Sequence, residues 1–85
     1  MPYIKATDRS RLRPDYVRIS GTPGELNFQI TCLIKDYIKA WGLTYAHIND
    51  VIGALEGAKL EFYRRVAVPY EDKKIAENCD VYDKP

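Results

Sequence analysis

Apolar residues recur every three or four positions in two stretches that are separated by only three residues, Gly42, Leu43 and Thr44. This spacing places apolar side chains along one face of an α-helix in each stretch. A linker this short makes the two helices run antiparallel. The sequence therefore predicts a mainly α fold, built on an antiparallel two-helix hairpin over residues 22–41 and 45–67.

The predicted helix ends have local signals. Thr22 is a good N-cap, Pro23 suits the first helical position, and Glu25 completes a capping box. Gly42 is a natural left-handed stop for helix one. Thr44 is the expected N-cap of helix two.

Pro69 marks the predicted end of helix two, because proline disfavours helix in the residue before it and cannot continue the backbone hydrogen bonds. We expect a short third helix over 71–78, whose acidic start suits the helix dipole. Residues 79–85 are expected to form a tail, and residues 1–21 an irregular arm with room for one short strand. Residues 1–85 together are predicted to form a single domain.

Stability is the main difficulty for a chain of 85 residues, which buries only about 60–65% of its unfolded surface. A disulfide is a poor stabiliser here, because Cys32 lies inside a helical pattern and Cys79 lies near the end of the chain. Two distant cysteines and His47 also lack the close spacing of zinc ligands. Homo-oligomerisation is the simplest remaining stabiliser, and we expect it.

Two patches are the expected contacts between chains. Gly53 and Gly57 make a flat strip on helix two, and Phe28 and Cys32 lie opposite the main apolar stripe of helix one. Two glycines inside a helix cost about 1 kcal/mol each relative to alanine. Packing against a second chain or a ligand is expected to offset that cost; the alternative is a weak helix that merely tolerates them.

Lys59 falls inside the apolar stripe of helix two, which is an unusual place for a lysine. One interpretation is that its stem covers apolar surface while its ammonium reaches water or pairs with Glu56. The other is that Lys59 lines a partly apolar pocket between helices or subunits and meets an anionic ligand, because a desolvated ammonium needs a counter-charge. The sequence leaves both interpretations open.

No set of residues indicates catalysis. Glu56 and Glu61 point to different sides of helix two, and the glycines at 21 and 24 lack the pattern of a nucleotide-binding loop. We therefore expect a protein that is not an enzyme, without catalytic residues, metal or cofactor.

The charge and hydropathy pattern limits the partners. A net charge of +1 gives no strong field to attract nucleic acid or a membrane. The sequence contains no apolar run of about 18 residues, the length that a membrane span needs. We expect a soluble cytoplasmic protein with no membrane partner.

Nucleic acid has one argument in its favour, a basic and aromatic N-terminal arm whose side chains suit phosphate contact and base stacking. These residues are Tyr3, Arg9, Arg11, Arg13, Tyr16 and Arg18. The near-zero net charge and the acidic C-terminal segment oppose it, so nucleic acid is the less favoured partner.

Four segments between Gly24 and Tyr82 are distinctive: GELNFQIT, YAHINDVIGALE, KLEFYRRV and PYEDKKIAEN. They resemble an uncharacterised family of small proteins common in phage and prophage genomes, most clearly over Leu60–Asn78. The family pattern often has glycine after Glu-Asn, where this chain has Cys79, a departure that bears on the turn after the third helix. The resemblance implies no activity that can be transferred residue by residue.

A phage setting suggests a functional analogy. Phage immune-signal sponges are small helical oligomers that bind cyclic or modified nucleotides between subunits and so starve host defence effectors, and this chain is similar to them in size and expected assembly. The leading hypothesis is a phage-derived oligomer in the bacterial cytoplasm that sequesters a small anionic ligand, with a nucleotide immune signal as the first candidate.

The predicted ligand site lies on helix two and just after it. Lys59, Arg64 and Arg65 would neutralise phosphate, and Tyr63 and Tyr70 would stack on a base or close the pocket. The first alternative is a module that inhibits a host or phage protein, docking through the Phe28, Cys32, Gly53 and Gly57 patches. The second is an accessory nucleic-acid-binding protein.

Overall fold

The computed structural model describes residues 4–12 and 18–82, and within these ranges it contains helices and no strand. The prediction of a mainly α fold is confirmed. The elements are α1 (Ala6–Leu12), α2 (Pro23–Trp41), α3 (Tyr45–Phe62), a π-helical segment (Tyr63–Ala67) and α4 (Val68–Asn78).

Helix α1 corrects the prediction of an irregular arm over residues 1–21. The Lys5 carbonyl accepts hydrogen bonds from the backbone N–H groups of Asp8 and Arg9, both at 3.0 Å. The Arg9 Nε also donates to the Ile4 carbonyl at 2.8 Å. This helix has no periodic apolar face, so the helical pattern that reveals α2 and α3 could not reveal it.

Only part of the N-terminal arm, for which a short strand and nucleic-acid binding were considered, lies within the described residues. Arg18–Ser20 form no strand. Tyr3, Arg13 and Tyr16 lie outside the described residues, as does the side chain of Arg11.

Helix α2 begins and ends as its sequence predicts. Thr22 Oγ1 accepts a hydrogen bond from the Glu25 N–H at 3.1 Å. The Glu25 carboxylate accepts from the Gly21 N–H at 2.8 Å, one residue before the partner expected in a capping box. Gly42 ends the helix with a φ of 97°, a conformation that side chains with a Cβ rarely adopt.

The linker between α2 and α3 is held by several contacts. Thr44 Oγ1 accepts from the His47 N–H at 3.1 Å, which caps α3. The His47 Nδ1 lies 2.8 Å from the Gly42 carbonyl oxygen and must be the protonated nitrogen, because a carbonyl only accepts. The His47 ring also meets the Tyr37 ring edge to face, with centroids 6.3 Å apart. These contacts fix the closed end of the hairpin.

Pro69 does not end helix two, which corrects the predicted stop at residue 67 and the separate helix over 71–78. The backbone stays helical from Tyr45 to Asn78, and we call this 34-residue element the long helix. Proline lacks an N–H, and its ring clashes with the carbonyl four residues earlier, here that of Arg65. The wider π turn accommodates this, with the Val68 N–H donating to the Tyr63 carbonyl five residues back.

The described residues form an extended structure without a buried core. Its radius of gyration is 17.1 Å, whereas about 12 Å is expected of a compact chain of this length. None of the described side chains is buried, and the total accessible surface is 8268 Å². A compact chain of this mass exposes about 5,200 Å². Roughly 3,000 Å² that a compact fold hides is therefore open to water.

Cys79, at the end of the long helix, has a φ of 68° and a ψ of 154°, a conformation that is nearly restricted to glycine. We predict that Cys79→Gly raises the free energy of unfolding by about 1 kcal/mol in a urea titration, because it removes this strain. Cys79→Ala is the matched control, since it removes the thiol and keeps the Cβ. An equal gain in both variants would show that the thiol, and not the backbone, limits stability.

Candidate functional site

A groove of about 470 Å³ lies between α2 and α3. Nearly all of its lining is apolar: Ile30, Leu33, Ile34 and Tyr37 from α2, and Asp50, Val51, Ala54, Leu55 and Ala58 from α3. Both helices turn their main apolar stripe toward it, as expected of an antiparallel hairpin. The stripes line this groove without closing it.

The polar end of the groove is a pair of side chains near the linker. The Tyr37 hydroxyl donates to Asp50 Oδ2 at 3.2 Å. Partial removal from water, then the hydrogen bond to Asp50 and its negative charge, raise the pKa of Tyr37 above its ordinary value of 10.0. Asp50 is the charged residue of the groove lining, so the charge at the groove is negative.

The rest of the groove is open to solvent. Leu33 is 70% exposed and Leu55 is 42% exposed, although both are lining residues. Contiguous exposed apolar surface is a common property of binding sites, which makes the groove a candidate site. The small side chains of Ala54 and Ala58 leave room for another molecule on the α3 side.

A second apolar surface continues from the groove along the long helix. Phe62, Val66 and Tyr70, which we call the ridge, are 62%, 53% and 61% exposed. At about 100° per residue, Leu55, Phe62 and Val66 fall on one stripe. Tyr70, beyond the π turn, stays within about 60° of this stripe with or without the extra residue of the turn.

Lys59 does not line the groove. Its side chain is 73% exposed, and its Nζ lies 3.6 Å from a Glu56 carboxylate oxygen on the same helix. Within one chain this is the arrangement of the first interpretation, in which the ammonium reaches water and pairs with Glu56. An exposed pair of this kind contributes little to stability.

The other predicted ligand residues lie on the same length of helix. Arg64 Nη2 is 3.0 Å and 3.2 Å from the two Glu61 oxygens, and Arg65 Nη1 is 3.8 Å from one of them. The Lys74 ammonium lies 5.5 Å from the centre of the Tyr70 ring. Tyr63, Arg64 and Arg65 are consecutive and fan out over about half of the helix circumference, so one chain does not gather them into one cleft.

The predicted interchain patches do not line the groove. Phe28 is exposed and Cys32 is half-buried, while the groove is lined by other side chains of α2. A Cβ added at Gly53 or Gly57 would meet nothing within 4 Å. Neither glycine is therefore needed for a close contact inside the hairpin, and their role between chains stays a prediction.

Sequence reasoning missed the groove because it assigned its lining to a core. Periodicity shows which face of a helix is apolar, but not what covers that face. The one signal that distinguishes a groove is the pair Ala54 and Ala58, small residues one turn apart on the face with Leu55. Two small side chains there cannot fill the space between two helices.

Other types of site have less support. Within residues 4–12 and 18–82, no three His, Cys, Asp or Glu side chains are placed to hold a metal ion. Cys32 and Cys79 are free thiols. No helix in the described ranges combines the length and the apolar character that a bilayer crossing needs. The groove and the ridge are the described features best suited to binding.

Residues 1–81 match a family model described as Domain of unknown function (DUF6899). The chain belongs to this family. The match agrees with the resemblance to an uncharacterised family and covers nearly the whole DUF6899 chain. No curated protein and no solved structure matches it.

The Tyr37–Asp50 pair gives a test of the groove geometry. We predict that Tyr37, followed by NMR of its ring carbon Cζ, titrates with a midpoint above 10.0. Because the neutral phenol is favoured in the fold, this contribution to stability is present below pH 10 and is lost as the pH rises through the folded pKa.

Asp50→Asn should lower the Tyr37 midpoint, since it removes the negative charge and keeps an acceptor oxygen. Asp36→Asn, an exposed change elsewhere on α2, is the control. A midpoint that does not move in Asp50→Asn would contradict the contact.

Proposed function

We propose that this DUF6899 protein is a non-catalytic binding protein that acts as a homo-oligomer through its apolar groove and ridge. The observation that supports this most directly is the 8268 Å² of accessible surface on a chain without a buried described side chain. Association is the usual way in which such a surface is removed from water.

The lining of the groove favours an apolar protein surface over a small anion as its occupant. A phosphate placed there would face the Asp50 carboxylate and otherwise apolar side chains, and an uncompensated charge in such a site is costly. The basic residues nearby are already close to acids, Lys59 to Glu56 and Arg64 to Glu61.

Sedimentation equilibrium of the purified protein tests the assembly. We expect a mass that is a multiple of the 9.8 kDa chain at micromolar concentration, dissociating on dilution. A folded protein that stays at the mass of one chain at all concentrations would contradict the proposal.

A second candidate function is sequestration of a nucleotide at a subunit interface, as in phage anti-defence sponges. It is favoured by two exposed arginines, Arg64 and Arg65, beside the exposed ring of Tyr63. Guanidinium groups bind phosphate in bidentate fashion, and a phenol stacks on a base. Tyr63, Arg64 and Arg65 point to different sides of one helix, but residues from two chains can form one site at a subunit interface.

Calorimetric titration with a cyclic dinucleotide tests this second function. We expect the double variant Arg64→Ala, Arg65→Ala to weaken binding about tenfold or more, because each charged hydrogen bond contributes about 1.5–3 kcal/mol. Lys35→Ala, an exposed charge on α2, should bind as the unmodified protein does. Absence of binding to the unmodified oligomer, or equal binding by the double variant, would reject this use of the arginines.

A further inference from the structure

Within residues 4–12 and 18–82, no element other than α2 and α3 packs at the groove. The α2 helix has 19 residues, so even lying fully along the long helix from the linker it would reach only about as far as residue 63. The long helix continues to Asn78. The groove and the overhanging ridge are thus two separate halves of one apolar stripe, and no further helix of the described part of the chain packs over either of them.

The amount of exposed surface fits a second copy of the chain. Each chain exposes roughly 3,000 Å² more than a compact chain of its mass, starting from 8268 Å² in total. Obligate homodimers bury about 2,000–5,000 Å² between two subunits. The excess over two chains, about 6,000 Å², is therefore large enough to supply an interface of that size.

The two surfaces complement each other in shape. The groove has small side chains, Ala54 and Ala58, on its α3 side. The ridge has two large aromatic side chains, Phe62 and Tyr70, which are both more than half exposed. Aromatic side chains that fill a pocket are the residues that dominate protein interfaces.

The two surfaces also complement each other in charge. The charged residue among the groove's lining is Asp50. Arg65 lies beside the ridge with an exposed guanidinium. Its distance to Glu61 in its own chain is 3.8 Å, a looser contact than the 3.0 Å between Arg64 and Glu61. An arginine that enters with the ridge can pair with an acid in the groove, which favours this occupant over a neutral apolar peptide.

We infer that the groove of each chain binds the ridge of a second copy, in a reciprocal dimer whose long helices run antiparallel. This inference rests on the proposed function and identifies a second copy of the chain as the partner that the groove binds. The groove spans Asp50–Ala58 on the long helix, and the ridge spans Phe62–Tyr70. In a twofold dimer the groove of each chain must face the ridge of its partner. The twofold axis therefore passes the long helix midway between groove and ridge, near Leu60.

This geometry fixes distances between equivalent residues of the two chains. A residue next to the axis lies close to its own copy, whereas a residue at the end of the long helix lies far from it. At 1.5 Å per residue, two Cys79 residues are separated by about 55–60 Å. Two residues at position 59 lie within about 20 Å of each other.

Electron–electron double resonance with thiol spin labels measures both distances. The first sample is Cys32→Ser, which leaves the exposed Cys79 as the label site. The second is Lys59→Cys with Cys32→Ser and Cys79→Ser. We expect the long distance in the first sample and the short distance in the second. Short distances at both positions would show parallel helices and would overturn the inference while leaving oligomerisation intact.

Complementation between two defective variants tests the groove and the ridge themselves. Leu55→Asp places a charge in the groove, and Phe62→Asp places one on the ridge. We expect each variant alone to dimerise at least about tenfold more weakly, whereas an equal mixture regains a heterodimer, because one intact groove can still bind one intact ridge.

The matched control is Phe28→Asp, on the opposite side of α2, which should dimerise as the unmodified protein does. Loss of dimers in Phe28→Asp but not in Leu55→Asp would move the interface to the Phe28 patch and overturn the inference. A mixture that stays monomeric while both single variants are folded by circular dichroism would also overturn it. A monomeric unmodified protein would reject the proposed function as well.

Discussion

The length of α2 limits how much of the long helix can be covered within one chain. Helix α2 has 19 residues, which is about 28 Å of helix. The long helix has 34 residues, or about 50 Å, close to the 49 Å longest dimension of the chain. The remaining length bears an apolar stripe against which no other described helix packs, and the exposure of the ridge follows from this mismatch.

The π turn links the sequence around Pro69 to that exposed surface. An ordinary α-helix would meet the proline with a steric clash at the Arg65 carbonyl. The π turn avoids this clash, so the helix continues to Asn78. Tyr70 therefore lies on the same continuous helix as Phe62 and Val66. π-Bulges are often found at functional sites, and here the bulge lies within the ridge that we propose as an interface.

Local signals in the sequence are enough to predict most of the hairpin. Thr22, Gly42 and Thr44 act through neighbours within four residues, and their hydrogen bonds or backbone angles are as expected. The prediction from Pro69 is wrong, because the rule for proline assumes α geometry on both sides and takes no account of a π turn. Helix α1 escapes prediction because its residues have no apolar face.

The candidate site is less predictable, because it depends on what lies opposite each face. Periodicity places Leu55 and Ile30 on inward faces, and they do line one groove. It cannot show that the groove stays open, since that depends on the separation of two helices. Lys59 allows two interpretations for the same reason: its exposure in one chain does not determine its surroundings in an assembly.

We propose that the fold is completed between chains. Thermal unfolding followed by circular dichroism over a hundredfold range of protein concentration tests this proposal, because association stabilises only the assembled state. We expect a midpoint that rises by several degrees from the lowest concentration to the highest. A cooperative transition whose midpoint does not depend on concentration would contradict it.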